Sequence, residues 1–178
     1  MKLVIICILA LLSNDVPAQD FDSCAEALPV TASTAISREL NEQWRLVTEK
    51  DLPSDDRKLW NNNHPGKCPG VSVGQFRGKG TKSYAVALLQ GTAPGKYIEQ
   101  LILLDPKGNH VSRTPVVEPT RVTTPFVVWT VAPGKYKVAD DGRSIDIGFD
   151  SFIYEKIEAV ATQYYFDHGR LRMLKIAN

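Results

Sequence analysis

Apolar and polar positions alternate along this chain in short blocks, and Gly, Pro and Asp interrupt them roughly every 8–15 residues, a spacing typical of antiparallel β structure. Trp44–Val47 reads as a short strand with Trp44 and Leu46 on one face. The turn Asp51-Leu52-Pro53-Ser54 follows, with Ser54 as the expected N-cap of a short helix over Asp55–Asn61. Val71–Phe76 and Tyr84–Leu89 predict a hairpin closed by Gly78-Lys79-Gly80, and Ile98–Leu104 predicts a buried strand ended by Asp105-Pro106-Lys107-Gly108. Further strands are expected at Pro115–Glu118, Phe126–Val131, Tyr136–Val138 and Ile145–Ile147, the last two around Asp140-Asp141-Gly142. Glu158–Phe166 and Arg170–Ile176 predict a final hairpin around Asp167-His168-Gly169, although residues 155–165 also fit an amphipathic helix. Residues 19–40 mix helical and extended signals. The expected fold class is therefore mainly β (α+β): one antiparallel sheet domain with one or two short helices.

The N-terminus departs from this pattern. Lys2 precedes an unbroken apolar run, Leu3–Leu12, followed by Ser13-Asn14-Asp15 and Val16-Pro17-Ala18. Small residues at Val16 and Ala18 suit signal peptidase, so residues 1–18 are expected to be a signal peptide and 19–178 a single extracytoplasmic domain. The run falls well short of the ~20 residues a membrane span needs, and no later stretch approaches that length.

Export changes how the cysteines read. Cys7 leaves with the signal peptide, and it lies too early in the apolar run to be a lipidation site. Cys24 and Cys68 remain as an even pair in an oxidising compartment, which predicts one disulfide. Charge is balanced, with 21 Lys and Arg against 20 Asp and Glu. No basic block is present to neutralise a row of phosphates, which argues against a nucleic-acid partner. Balanced charge and the lack of a visible anchor favour the periplasm, with secretion as the alternative.

Candidate chemistry is sparse. Gly70-Val71-Ser72-Val73-Gly74 spells G-x-S-x-G, which in serine hydrolases exposes a nucleophile between a strand and a helix. Here Pro65–Pro69 precedes it and a Gly-rich segment follows, so Ser72 is a nucleophile candidate out of context, with His110, His168, Asp105 and Asp167 downstream. A phosphate-loop reading of Gly74–Thr81 fails, because three residues rather than four separate its first Gly from Gly78-Lys79. His64, His110 and His168 show no metal-ligand spacing, so no metal or cofactor is expected. Asp146 and Asp150 would share one face of a strand, where a solvated turn competes with a carboxylate pair. Adjacent Tyr164 and Tyr165 on a strand must point to opposite faces, so one of them is a candidate binding residue outside the core.

The segment Gly74–Ala85, GQFRGKGTKSYA, resembles the G-D-F-(D/N)-G-D-G-x-x-D-(Y/L)-A repeat of FG-GAP/VCBS-like proteins. Gly74, Phe76, Gly78, Gly80, Tyr84 and Ala85 match. Gln75, Arg77, Lys79 and Ser83 stand where that family places Asp or Asn ligands, and Arg and Lys would repel calcium. The resemblance therefore implies a strand–loop–strand shape without calcium. It covers a single short copy, so a propeller does not follow.

Size, compartment and disulfide, with no convincing catalytic constellation, point to a binding protein that acts by protein–protein contact. An envelope inhibitor or immunity protein with another extracytoplasmic protein as partner is the most concrete form. A serine hydrolase using Ser72 and a carbohydrate-binding or structural β module are the alternatives.

Overall fold

The computed structural model describes residues 24, 27–30, 32–34, 43–91, 93–138 and 142–176; the expected signal peptide, residues 1–18, and the pair Asp140-Asp141 lie outside them. The chain is mainly antiparallel β with two helices, as its pattern predicts. Val30 and Ala32–Thr34 are helical. The strands are β1 (Trp44–Leu46), β2 (Val71–Gly74), β3 (Ser83–Gln90), β4 (Tyr97–Lys107), β5 (His110–Val122), β6 (Val127–Val131), β7 (Gly134–Lys137), β8 (Ser144–Ile147), β9 (Ser151–Lys156), β10 (Val160–Asp167) and β11 (Arg170–Ile176), with helix α1 (Ser54–Asn63) between β1 and β2.

One sheet runs β1-β3-β4-β5, with β2 also paired to β3. Strand β3 shares one edge between two partners: β2 takes Ser83–Val86 and β1 takes Leu88–Gln90. The second sheet runs β11-β10-β9-β6, and β7 pairs with β8 alone. Ala85, Ala87, Leu89, Leu101 and Leu103 face the second sheet, where they meet Val128, Phe152, Tyr154 and Tyr164. The alternate residues Val86, Leu88, Ile102 and Leu104 pack outward against Ala32 and Leu28. Burial on both faces is why β3 and the middle of β4 read as unbroken apolar runs rather than alternating ones. Trp44 and Leu46 pack together on that outer layer, as their spacing predicts.

Strand β6 closes one side of the sandwich. The Val128 N–H donates to the Pro69 carbonyl at 2.8 Å, and the Thr130 hydroxyl to the Val73 carbonyl at 2.8 Å. Both segments advance from the first contact to the second, so β2 and β6 run side by side in the same direction, joined by these bonds rather than by a full ladder.

Cys24 and Cys68 form the expected disulfide, with Cα atoms 4.7 Å apart. It ties the N-terminal segment to the loop entering β2.

Several local expectations shift. Helix α1 begins one residue early, with Pro53 at the cap and no side-chain cap bond, so Ser54 is its first residue rather than its N-cap. The Pro53 carbonyl already accepts the Arg57 N–H, and a proline at the boundary presets the entry. Strand β4 continues through Asp105 and Pro106 to Lys107, where the two-residue turn Gly108-Asn109 leads into β5. The β3 ladder ends at Leu104, so the missing N–H of Pro106 interrupts no pairing there. Residues 155–165 are strand, not helix: Lys156 pairs with Val160 across a three-residue turn. His168 and Gly169 both take positive φ, the geometry that joins β10 to β11 through a two-residue turn.

Candidate functional site

Two clefts bring together residues the sequence singled out. The first lies over the seam between β2 and β6, walled by the end of α1 and the loop to Cys68. It encloses about 440 Å³ and is lined by Trp60, His64, Lys67, Ser72, Trp129 and Thr130, among others. Trp60 is buried because its ring packs on Leu52 and Val127, and its indole N–H donates to the Lys67 carbonyl at 2.9 Å. His64 ends the helix, with its N–H donating to the Trp60 carbonyl, and its ring stands between two indoles. The ring centroids are 4.3 Å from Trp60 and 5.0 Å from Trp129. Burial lowers the pKa of this imidazole, against the pull of the nearby Glu155 carboxylate. Glu155 in turn accepts the Trp129 indole N–H at 3.0 Å.

Ser72 sits on β2 and is only 2 % exposed. Its hydroxyl lies 2.7 Å from that of Thr130. Thr130 has one proton and gives it to the Val73 carbonyl, so Ser72 must donate to Thr130. Neither His110 nor His168 accompanies Ser72: they occupy the β4–β5 and β10–β11 hairpin ends. The two glycines of the G-x-S-x-G pattern have packing roles. A Cβ on Gly70 would lie 2.4 Å from the Val47 carbonyl oxygen, and one on Gly74 would lie 2.4 Å from the Phe76 ring. Close approach thus accounts for both glycines without a nucleophile turn. A fluorophosphonate probe is accordingly expected to leave the protein unlabelled; labelling abolished by Ser72→Ala would establish serine chemistry in this cleft.

The second cleft, about 490 Å³, lies among the β2–β3 loop, the β8–β9 loop and the β10–β11 turn. Arg77, Asp146, Phe149, Tyr165, Phe166 and Asp167 line it. Tyr164 and Tyr165 divide as the strand geometry requires. Tyr164 is buried and stacks on Phe152 at 5.5 Å, while Tyr165 is partly exposed in the cleft. Phe149, which sequence reasoning passed over, is 38 % exposed. An isolated Phe between Gly148 and Asp150 carries no periodic signal that would have marked it. Asp146 and Asp150 do not share a strand: Asp146 is on β8, and Asp150 accepts the Gln75 N–H at 2.8 Å from the loop before β9.

The Gly-rich loop from β2 to β3 is held by its own polar groups. The Gly80 N–H donates to the Gln75 side chain at 3.0 Å. Arg77 Nε donates to Asp105 at 2.6 Å, its guanidinium also reaches Thr114, and it lies 4.4 Å from the centre of the Phe166 ring. Ser83 donates to the other Asp105 oxygen. Asp105 is fully buried. Three of the four positions at which the family resemblance would place calcium ligands therefore make contacts within the chain, and Arg77 supplies the positive charge. Among the described residues, no three His, Cys, Asp or Glu side chains gather as a metal site.

A further buried acid lies at the other end of the sandwich core. Glu99 on β4 is 0 % exposed, and both its oxygens accept the Phe126 N–H, at 3.0 and 3.1 Å. Burial raises its pKa from 4.5 to about 7, against the bonds from Phe126 and the Tyr154 hydroxyl. The nearby Asp51 carboxylate adds to the rise. Asp51 itself is a different case. Burial opposes its charge, yet the bidentate bonds from Arg45, at 2.6 and 2.7 Å, and those from Thr48 outweigh burial and lower its pKa.

Among the described residues no helix is long and apolar enough to cross a membrane. Comparison with known proteins found no matching family, no similar curated protein and no similar solved structure.

Proposed function

We propose that this chain is an exported protein, processed after Ala18, that acts by contact with another extracytoplasmic protein as an envelope inhibitor or immunity protein. The disulfide and the lack of a spanning helix among the described residues are compatible with an extracytoplasmic location. The periplasm is the compartment favoured by the balanced charge.

One observation carries the reading. At the end of the sandwich where three connections converge, Phe149 stands exposed beside Tyr165 and Phe166. Loops mounted on a rigid sheet scaffold are where binding residues concentrate. Exposed aromatics with a polar rim are the side chains that anchor protein interfaces. Asp146 and Asp167 provide that rim.

The test is capture from an envelope extract with residues 19–178 as bait, alongside Phe149→Ser. The expected result is one stoichiometric partner that survives moderate salt and is lost with Phe149→Ser. A partner retained unchanged by the variant, or none across several growth conditions, would count against the reading.

A further inference from the structure

The cleft over the β2–β6 seam shares no lining residue with the surface just proposed. Lys67 and His64 are the titratable side chains of its lining, and the nearby Glu155 carboxylate is engaged by the Trp129 indole N–H. Lys67 is exposed and forms no ion pair with a described residue. The His64 ring is held by stacking, and neither of its nitrogens bonds to a described residue. Both indole N–H groups are committed, Trp60 to the Lys67 carbonyl and Trp129 to Glu155. Trp129, the more exposed indole, therefore has ring surface left to offer. Thr130, exposed on β6, gives its proton to the Val73 carbonyl, accepts one from the buried Ser72 and keeps a second acceptor lone pair.

These leftover capacities describe a ligand. It needs an apolar face to cover Trp129, a negative charge for Lys67 that can also accept from the imidazole N–H, and a hydroxyl to donate to Thr130. A pyranose ring has an apolar C–H face and a rim of hydroxyls, and a ring carboxylate supplies the charge. The volume of about 440 Å³ lies within the roughly 300–1,000 Å³ of small-ligand sites. The stack is also built in advance, because Trp60 and the disulfide fix the wall on which His64 rests. Little side-chain ordering would then be needed on binding.

We infer that this cleft is a binding site for an acidic sugar, a hexuronate unit of an anionic glycan, with Trp129 as its platform and Lys67 and His64 as its carboxylate partners.

The test is titration of the mature protein with oligogalacturonate, read by tryptophan fluorescence, with a neutral gluco-oligosaccharide of equal length and acetate as comparisons. The expected result is a saturable change with oligogalacturonate alone, weakened at least ~10-fold by Lys67→Met and by added salt, since a charge contact worth about 1.4 kcal/mol is tenfold. Trp129→Ala should abolish binding read by titration calorimetry, which does not depend on the indole it removes. Lys67 is exposed, so its substitution separates loss of binding from loss of fold, and thermal unfolding of Trp129→Ala provides the same check there. No saturable response to oligogalacturonate, an equal response to the neutral sugar, or unchanged affinity in Lys67→Met would each overturn the assignment.

Discussion

Glu99→Gln is expected to make the protein more stable at pH 8 by about 2–3 kcal/mol and to leave it nearly unchanged at pH 5. The reason is a buried carboxyl without a cation in contact. Glu99 accepts from the Phe126 N–H and interacts with the Tyr154 hydroxyl, and these bonds offset only part of the cost of removing its charge from water. Its folded pKa is about 7 against an ordinary 4.5. Folding therefore favours the protonated form. The stability this group contributes is full below about pH 4.5, falls as the pH rises and is gone once it passes 7. A glutamine keeps an oxygen for the Phe126 N–H and has no charge to desolvate. The groups that bear on the site are Asp51 beyond β1, Tyr154 on β9 and, through Tyr154, Tyr164 on β10. Asp51 is held ionised by Arg45, so it does not titrate in this window. Urea unfolding midpoints of both proteins at pH 5 and pH 8 read the effect. Parallel pH profiles for wild type and variant would show that Glu99 is not the titrating group.

Trp60→Ala should cost about 3–5 kcal/mol, a large share of the roughly 5–15 kcal/mol available to a domain of this size. Trp60 is 2 % exposed and fills the space between Leu52 and Val127, which joins α1 to the outer face of β6. Its removal leaves a cavity, frees the Lys67 carbonyl and takes away the surface on which His64 rests. Trp60→Phe restores most of the volume but not the N–H, and should recover all but about 1–2 kcal/mol. Urea unfolding of the two variants separates packing from hydrogen bonding. A loss below about 1 kcal/mol in Trp60→Ala would mean that α1 is not anchored through this ring.

The outer-layer pairing of Trp44 with Leu46, the hairpin at His168-Gly169 and the opposed faces of Tyr164 and Tyr165 were legible because each depends on the two-residue period of a strand or on local turn chemistry. Residues 155–165 were ambiguous for the same reason. A short run fits both periods until a partner strand is present, and here β9 and β11 supply two. The G-x-S-x-G pattern misled because a string cannot distinguish a glycine needed for a strained turn from one needed for close packing. Val47 and Phe76, which require Gly70 and Gly74, are distant or offset in sequence but adjacent in space.

What the sequence by itself determined is the class of the molecule: antiparallel strands, a short helix near Ser54 and one disulfide from the cysteine pair Cys24 and Cys68. These follow from local periodicity, turn residues and a count of two. Only the tertiary structure decided which polar groups are buried and which residues share a site. Glu99 and Asp105 look like ordinary strand-end acids until the sheets close over them. Trp60, His64, Ser72 and Trp129 come from a helix, a loop and two strands, and meet because β6 packs beside β2. Burial and proximity of this kind arise from packing between distant segments, and no pattern along one segment encodes them.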